Sequence, residues 1–151
     1  MSGHTGLVAR TAYRYGSIDQ IDARMLYQLL RLRIQVFVVE RQMPRMELDD
    51  IDVNDKTVHL WAERSGEVVA GLRLHEQDDG AFRVSRLCTA LEARGQGLAT
   101  KLMQHAITMA KRREVVVDAP IRTRGFFERL GFRQEGEKFV KDGMPHVELR
   151  L

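Results

Sequence analysis

Two glycines stand at the start of a helical pattern, a place where glycine is an unfavourable residue. They belong to the stretch RGQGLAT, in which Arg94, Gly95 and Gly97 lead into apolar residues with helical spacing. The first turn of a helix carries unpaired backbone N–H groups and a partial positive charge. Because glycine has no Cβ, a bulky anion can approach these groups closely. The stretch therefore predicts a phosphate-binding loop made of main-chain donors, with Arg94 as a neighbouring charge.

Several other side chains have the chemistry to move protons or to hold a cationic substrate. His59 and His146 carry imidazoles, the side chain best suited to exchange protons near neutral pH, so each is a candidate general base. Glu47 is a third candidate base, and with Asp49 and Asp52 it forms an acidic cluster that would attract an amine. The alternatives are structural roles for the histidines and a solvated or helix-capping loop for the acids.

The positions of these residues depend on an alternation of strands and helices. After a first strand, helical spacing of apolar residues predicts helices over residues 22–38, 98–110 and 123–130. Runs rich in β-branched residues predict strands over residues 58–62, 67–75, 81–89, 114–118, 132–140 and 145–151. Ser65-Gly66 and Asp142-Gly143 supply hairpin turns. The order is strand, helix, three strands, helix, strand, helix and two strands, which is a mixed α/β arrangement.

The composition predicts one domain over residues 7–151, after a disordered tail at residues 1–6. The chain has 151 residues, of which 44% are hydrophobic and 30% charged, with Cys88 as its one cysteine. A single cysteine forms no internal disulfide and no metal cluster, which fits a reducing cytoplasm. Cys88 is expected to be a small strand residue rather than a nucleophile. The net charge of +3 is spread among acidic residues, so we expect no nucleic acid partner, and no apolar run is long enough to span a membrane.

The glycine stretch carries a resemblance to a known superfamily. Arg94-x-x-Gly97-x-Ala99 resembles the pyrophosphate-binding signature of the GNAT superfamily of acyl-CoA-dependent N-acyltransferases. Three further blocks, residues 32–40, 126–132 and 142–148, resemble the ElaA-like branch of that superfamily. The resemblance implies an α/β (α+β) fold with a mixed, mostly antiparallel twisted sheet flanked by helices. In that fold a splayed central strand pair forms the acyl-CoA cleft.

The resemblance also implies which residues hold coenzyme A. The glycine loop would bind the pyrophosphate, the end of the preceding strand would pair with the pantetheine arm, and two phenylalanines would line the cleft beside the thioester. The implied residues are Leu87, Cys88, Thr89, Arg94, Gly95, Gln96, Gly97, Leu98, Ala99, Thr100, Phe126 and Phe127. Many GNAT enzymes place a proton-donating tyrosine where this chain has Phe127, so the donor to the leaving thiolate stays open.

The function implied is a cytoplasmic, acetyl-CoA-dependent N-acetyltransferase, a monomer or homodimer without a metal. The acetyl group would pass to the amine of a small molecule or peptide by direct attack on the thioester. One alternative is an acyl-homoserine-lactone synthase, because a charged set falls at spacings like those of that family. The set is Arg33, Phe37, Glu47, Asp49, Asp52 and Arg73. Outside a synthase, its arginines and carboxylates would form a structural ion-pair network that supports the acceptor pocket, or Arg33, Asp49, Asp52 and Arg73 would bind the acceptor. The other alternative is a non-catalytic acetyl-CoA-binding regulatory module, which the missing tyrosine favours.

Overall fold

The computed structural model describes residues 10–151. The tail expected at residues 1–6 lies outside this part, and the single domain over residues 7–151 stays a prediction. The α-helices are α1 (Ala23–Ile34), α2 (Leu98–Met109) and α3 (Arg124–Arg129). The strands are β1 (Thr11–Gly16), β2 (Thr57–Arg64), β3 (Glu67–Glu76), β4 (Phe82–Thr89), β5 (Val115–Pro120), β6 (Arg133–Lys141) and β7 (Met144–Arg150).

The strands form one sheet in the order β1-β2-β3-β4-β5-β7-β6. Every neighbouring pair is antiparallel except β4 and β5, which run parallel because α2 connects them as a crossover. This arrangement confirms the predicted mixed α/β fold and its order of elements. No helix within residues 10–151 is long and apolar enough to cross a membrane.

The two predicted hairpin turns are present and set the register of their strands. Ser65 and Gly66 have φ values of 51° and 79°, and Asp142 and Gly143 have values of 52° and 72°. Two successive residues with positive φ are the geometry of a tight hairpin turn whose twist matches the strands. The second turn pairs Lys141 with Met144 and thereby brings the β6–β7 hairpin alongside β5.

The first helix changes its geometry before it ends. Asp22 is its N-cap and accepts a hydrogen bond from the Arg24 backbone N–H at 3.1 Å. The predicted helix over residues 22–38 is α-helical only as far as Ile34, and a π-helical turn follows over Gln35–Glu40. A π turn fits an extra residue into a helix and often lies at a functional site. Here it carries Val36, Phe37 and Glu40 to the cleft described below.

The core lies on both faces of the sheet. Residues 68–74 of β3 are all buried, so helices must cover both of its faces, and α1 and α2 both contact this strand. Gly71 allows α1 to pack closely, because a Cβ at that position would come within 2.6 Å of Leu29 Cδ1. Leu29 and Leu102, one from each helix, are almost fully buried in the same apolar cluster.

A β-bulge lies in β4 where it pairs with β3, just beyond the last residue of β4 that pairs with β5. Gly71 pairs with Cys88 and Arg73 pairs with Ser85, so β4 places Arg86 and Leu87 opposite a single residue of β3. Arg86 has a φ of 58°, which is unusual for a residue other than glycine. A bulge bends its strand, and β4 pairs with β5 only from Phe82 to Val84. Beyond that point the strands diverge, which confirms the predicted splayed pair.

Candidate active site

An open cleft lies where β4 and β5 diverge. Its volume is about 770 Å³. Residues 84–89 of β4 form one wall and residues 117–120 of β5 the other. The π-helical turn, the loop before α2, α3 and the β6–β7 turn complete its lining. Beyond Val84, the N–H and C=O groups of β4 that point toward β5 have no strand partner, so main-chain groups are available to a ligand.

The glycine loop forms one end of this cleft. Gly97 is the N-cap of α2 in the left-handed conformation, with φ 81° and ψ 9°, and Gly95 has a φ of 76°. A Cβ on either glycine would meet no atom within 4 Å, so the approach to the backbone is open. The N-terminus of α2 therefore presents unpaired N–H groups to the cleft.

Arg94 is held beside the loop by an ion pair. Its two terminal nitrogens donate to Glu40 at 2.7 and 2.8 Å, and its Nε donates to the Thr89 carbonyl oxygen at 3.0 Å. The hydrogen bonds that Arg94 donates to Glu40 raise the pKa of Arg94 above its usual value. Gln96 differs from the other predicted cofactor residues, because its side chain bonds to Arg64 and does not line the cleft. The remaining eleven predicted cofactor residues all do.

The middle of the cleft is apolar. Phe127 is buried and packs edge-to-face against Phe126 and Phe132, with ring centroids 5.0 and 5.7 Å apart. Cys88 is buried in the opposite wall, and burial raises the pKa of its thiol to about 12. The thiol is therefore neutral at physiological pH, which agrees with the expectation that Cys88 is not a nucleophile.

His146 lies at the far end of the cleft, on β7. Its Nδ1 is 2.9 Å from the Met144 carbonyl oxygen, and its ring stacks at 6.0 Å on Phe139. Because a carbonyl oxygen only accepts, Nδ1 carries the proton of the neutral ring and Nε2 keeps a lone pair. His146 is thus the one of the two candidate histidines that the fold brings into the cleft.

The acidic cluster belongs to a largely buried ion-pair network, and Asp49 also caps the short helical turn Asp50–Val53, so the helix-capping and ion-pair alternatives hold and the solvated one does not. Arg33 bonds to Glu47 at 2.9 Å and to Asp52 at 2.7 Å. Arg73 bonds to Asp49 at 2.7 Å and to Asp52 at 3.0 Å. Burial alone would raise the pKa of Asp52, but hydrogen bonds from Arg33, the Asp49 backbone and Arg73 outweigh it and lower that pKa to about 2.

This network corrects the placement expected for several candidates. Arg33, Arg73 and Asp52 are at most 4% exposed and, like Asp49, do not line the cleft, so they are not placed to contact an acceptor there. Glu47 is 3% exposed, and its Oε2 lies between Arg33 and Arg86 at 2.9 and 2.7 Å, which stabilises the charged carboxylate. Glu47 is thus engaged by two arginines and does not line the cleft, so the structure does not place it as a base for the acceptor.

His59 is also buried away from the cleft. The ring is 1% exposed, and its Nε2 is 3.0 Å from the Asp52 carbonyl oxygen. Burial lowers its pKa below 6.5, so the ring is neutral in the folded protein. Its position supports the structural alternative, since an imidazole this enclosed has no access to a substrate.

Two arginines of the site had no signal in the sequence that would separate them from surface residues. Arg86 lies in the β-bulge, where its Nε bonds to Glu47 at 2.7 Å. Arg41 follows the π-helical turn and covers the Phe37 ring, with its guanidinium carbon 4.8 Å from the centroid. Arg122 lines the cleft too, and it belongs to a basic cluster visible in the sequence.

The described residues contain no group of side chains arranged to hold a metal ion.

Comparison with known proteins identifies the family. A family model described as "Acetyltransferase (GNAT) domain" matches residues 23–151. The chain belongs to the GNAT acetyltransferases. The GNAT domain therefore includes every strand from β2 onward and all three helices, and with them the whole lining of the cleft.

Curated relatives define the branch within this family. A UPF0039 protein of Mycobacterium tuberculosis is 42% identical over 131 residues, covering 84% of each chain. Protein ElaA of Escherichia coli is 28% identical over 135 residues, which are 85% of this chain and 88% of ElaA. This GNAT chain thus belongs to the ElaA-like branch, as the three sequence blocks predicted.

Solved structures share the fold. An acyl-CoA N-acyltransferase from Pseudomonas aeruginosa has a TM-score of 0.87 and 33% identity, covering 93% of this chain and 99% of its own. BjaI, described as a CoA-dependent acyl-homoserine lactone synthase, has a TM-score of 0.78 with 20% identity. That likeness covers 93% of this chain and 82% of BjaI, and it concerns the fold alone. Both structures therefore share the overall fold of this chain.

Proposed function

We propose that this GNAT acyltransferase transfers an acetyl group from acetyl-CoA to the amine of a small molecule or peptide. The observation that carries the proposal is the cleft between β4 and β5, which ends at the open glycine loop. One end of this cleft offers helix N–H groups to an anion, and the middle offers apolar walls and unpaired strand groups. These features suit a pyrophosphate joined to a pantetheine arm.

The glycine loop is the proposed seat of the pyrophosphate. Main-chain N–H groups of residues 95–100 would donate to its oxygens, since the first turn of α2 leaves them unpaired. Arg94 would add a charge from the side where Glu40 now orients it. Leu87, Cys88 and Thr89 would pair their backbone with the pantetheine amides, because β5 does not occupy that side of β4 beyond Val84.

The acetyl carbonyl would then lie near the bulge of β4. The neutral amine attacks the carbonyl carbon, a C–N bond forms, and the C–S bond breaks to release the coenzyme A thiolate. Main-chain N–H groups near Cys88 or Thr89 would stabilise the oxyanion. Positioning both reactants supplies a large part of the acceleration, about 7–11 kcal/mol in favourable cases.

His146 is the proposed general base among the three candidates. It lines the cleft, and the Met144 carbonyl fixes its tautomer so that Nε2 can accept the amine proton. The thiolate has no tyrosine to protonate it, because Tyr13, Tyr15 and Tyr27 do not line the cleft and Phe127 lacks a hydroxyl. Water is the proposed proton source for the leaving group.

An assay for free coenzyme A thiol tests the proposal. Acetyl-CoA is offered with a broad amine panel, and thiol release that depends on one class of amine is expected. Calorimetric titration with coenzyme A, run in parallel, measures binding independently of turnover. If coenzyme A binds but no amine in the panel causes thiol release, the protein is a regulatory module instead. If coenzyme A does not bind, the cofactor assignment is contradicted.

The acyl-homoserine-lactone synthase alternative needs a separate test of the acceptor. BjaI was solved with SAM and isopentyl-CoA, so use of a CoA donor does not distinguish the two functions. S-adenosylmethionine as sole acceptor does, because a synthase would form a homoserine lactone that mass spectrometry detects. Lactone formation together with an inactive amine panel would favour the synthase.

A further inference from the structure

The cleft contains more positive than negative side chains. Seven cationic residues and three acidic residues line it. The cationic ones are Arg41, Arg45, Arg83, Arg86, Arg94, Arg122 and Lys141, and the acidic ones are Glu40, Asp118 and Asp142. An excess of one charge in a partly enclosed cleft raises the local concentration of oppositely charged ligands.

The acidic side chains are already paired. Glu40 bonds to Arg94 at 2.7 Å, and Asp142 bonds to Arg45 at 2.8 Å. Asp118 contacts Arg83 at 3.1 Å and Lys141 at 3.5 Å. Arg86 is paired outside the cleft, with the buried Glu47.

Arg41 and Arg122 remain without a carboxylate partner among residues 10–151. The first nine residues contain no aspartate or glutamate, so their side chains cannot supply one. The polar contact of the Arg122 guanidinium is a weak one, from Nη1 to the Met144 sulfur at 3.7 Å. Arg41 is half-buried over Phe37, and burial, followed by repulsion from Arg122 and Arg45, lowers its pKa.

Two cations that repel each other, one of them half-buried, gain stability from an anion placed between them. Guanidinium groups are especially suited to carboxylate and phosphate because they donate in a planar fork. Arg122 follows the end of β5, where Pro120 pairs with His146, whereas the glycine loop follows β4. Arg41 and Arg122 therefore line the same side of the cleft as His146, the proposed general base. The amine of the acceptor would have to lie on this side for His146 to accept its proton.

We propose that Arg41 and Arg122 bind an anionic group of the acceptor, a carboxylate or a phosphate. This inference rests on the proposed function and names its substrate class: amines that carry a negative charge, such as amino acids or amino phosphates. The anion fixes the acceptor at the hairpin side of the cleft, and its amine faces His146 and the thioester.

Matched amine pairs on the coenzyme A-saturated protein test the inference by binding, so the result does not depend on turnover. Suitable probes are O-phosphoethanolamine with ethanolamine, and L-alanine with L-alaninamide, followed by ligand-observed NMR titration. We expect the anionic member of at least one pair to bind about tenfold more tightly, the ratio that one charge-assisted hydrogen bond supports. Equal binding of both members of each pair, or binding of none of the four probes, overturns the inference.

Variants locate the effect. Arg122→Gln is the primary variant because the side chain is exposed, and Arg41→Gln is the second. Each should bring the anionic-to-neutral ratio close to one. Arg124→Gln is the matched control, since Arg124 is two residues away, lies outside the cleft and pairs with Glu128. It should leave the ratio unchanged, and an equal loss in this control would contradict the assignment.

A second titration distinguishes the acceptor from the 3′-phosphate of coenzyme A as the source of the anion. Coenzyme A and 3′-dephospho-coenzyme A are titrated into the wild-type protein and into Arg122→Gln. We expect the variant to bind each with wild-type affinity. If it weakens coenzyme A and not the dephospho form, the two arginines serve the cofactor and the inference is wrong. Failure of coenzyme A to bind the wild-type protein would be a failure of the proposed function, which this comparison reveals separately.

Discussion

Gly97 has two physical reasons to be glycine, and they can be measured separately. The sequence indicated only the close approach of an anion to the backbone. The structure adds a left-handed backbone with a φ of 81°, which a residue with a Cβ adopts at a cost of about 1–2 kcal/mol. The space around the position is open, so any loss of ligand affinity comes from the missing approach path or from a shifted backbone, and not from an internal clash.

Gly97→Ala should lower the free energy of unfolding by about 1 kcal/mol and should also weaken coenzyme A. The control is Gly66→Ala, because Gly66 has a φ of 79° and equally open surroundings but lies in the β2–β3 turn. Urea denaturation should show similar losses for both variants. Calorimetry should show weakened coenzyme A binding for Gly97→Ala alone, and equal affinity in the two variants would contradict the pyrophosphate site.

His146→Gln should lower kcat by about 100-fold or more, the usual contribution of a general base. The variant should also lose the decline in kcat that protonation of an imidazole causes toward acidic pH. His105→Gln is the control, since His105 is exposed on α2 and outside the cleft. A pH profile of kcat with its acidic limb unchanged in His146→Gln would remove this residue as the base.

At the scale of elements, the bulge of β4 depends on charges buried beneath it. Arg73 donates to Ser85 at 2.9 Å and Arg86 to Glu47 at 2.7 Å, so the network holds both sides of the bulge. Arg33 connects the network to α1 through Glu47 and Asp52. The charged residues that the sequence suggested would support or bind an acceptor therefore hold the bulge of β4, and with it one wall of the cleft, in place.

Arg33→Met should destabilise the protein by about 3–5 kcal/mol, because it leaves two buried carboxylates short of a partner. Arg14→Met is the matched control: the Arg14–Glu63 pair is exposed, and such pairs contribute about 1 kcal/mol or less. Denaturant titration of both variants measures the difference. Similar losses in the two would mean that the buried network does not stabilise the fold.

The sequence predicted the elements whose signals are local, and it missed those set by tertiary pairing. Helical spacing identified α2, and Asp142-Gly143 identified the β6–β7 turn, because both depend on neighbouring residues alone. The π-helical turn and the bulge at Arg86 depend on how a helix and a strand meet the rest of the sheet. The burial of Glu47 and His59 depends in the same way on partners distant in sequence. The sequence alone therefore could not exclude either residue as a general base.

At the scale of the whole molecule, the buried His59 and the half-buried His75 tie stability to pH. Burial lowers the pKa of both His59 and His75 below 6.5, so at mildly acidic pH the unfolded chain binds protons that the folded chain excludes. Stability is therefore complete above about pH 6.5 and declines as the pH falls below it. The lowered pKa of Asp52 adds a second decline in stability, as the pH falls from the usual aspartate pKa of 3.8 toward about 2.

Urea denaturation from about pH 8 to about pH 5 should show this first decline. His59→Gln should make this decline in the free energy of unfolding shallower, because glutamine can donate to the Asp52 carbonyl without titrating. The contribution of His75 should remain. His105→Gln serves as control for an exposed histidine and should keep the wild-type slope. An unchanged slope in His59→Gln would show that His59 does not carry the linkage.

The proposed function requires coenzyme A to lie in the cleft between β4 and β5. Only then can the glycine loop contact the pyrophosphate and His146 face the thioester. A crystal structure of the protein with bound coenzyme A measures this most directly. We expect the pyrophosphate within hydrogen-bonding distance of main-chain N–H groups in residues 95–100, and the pantetheine alongside residues 87–89. A pyrophosphate bound away from residues 94–100 would contradict the central claim.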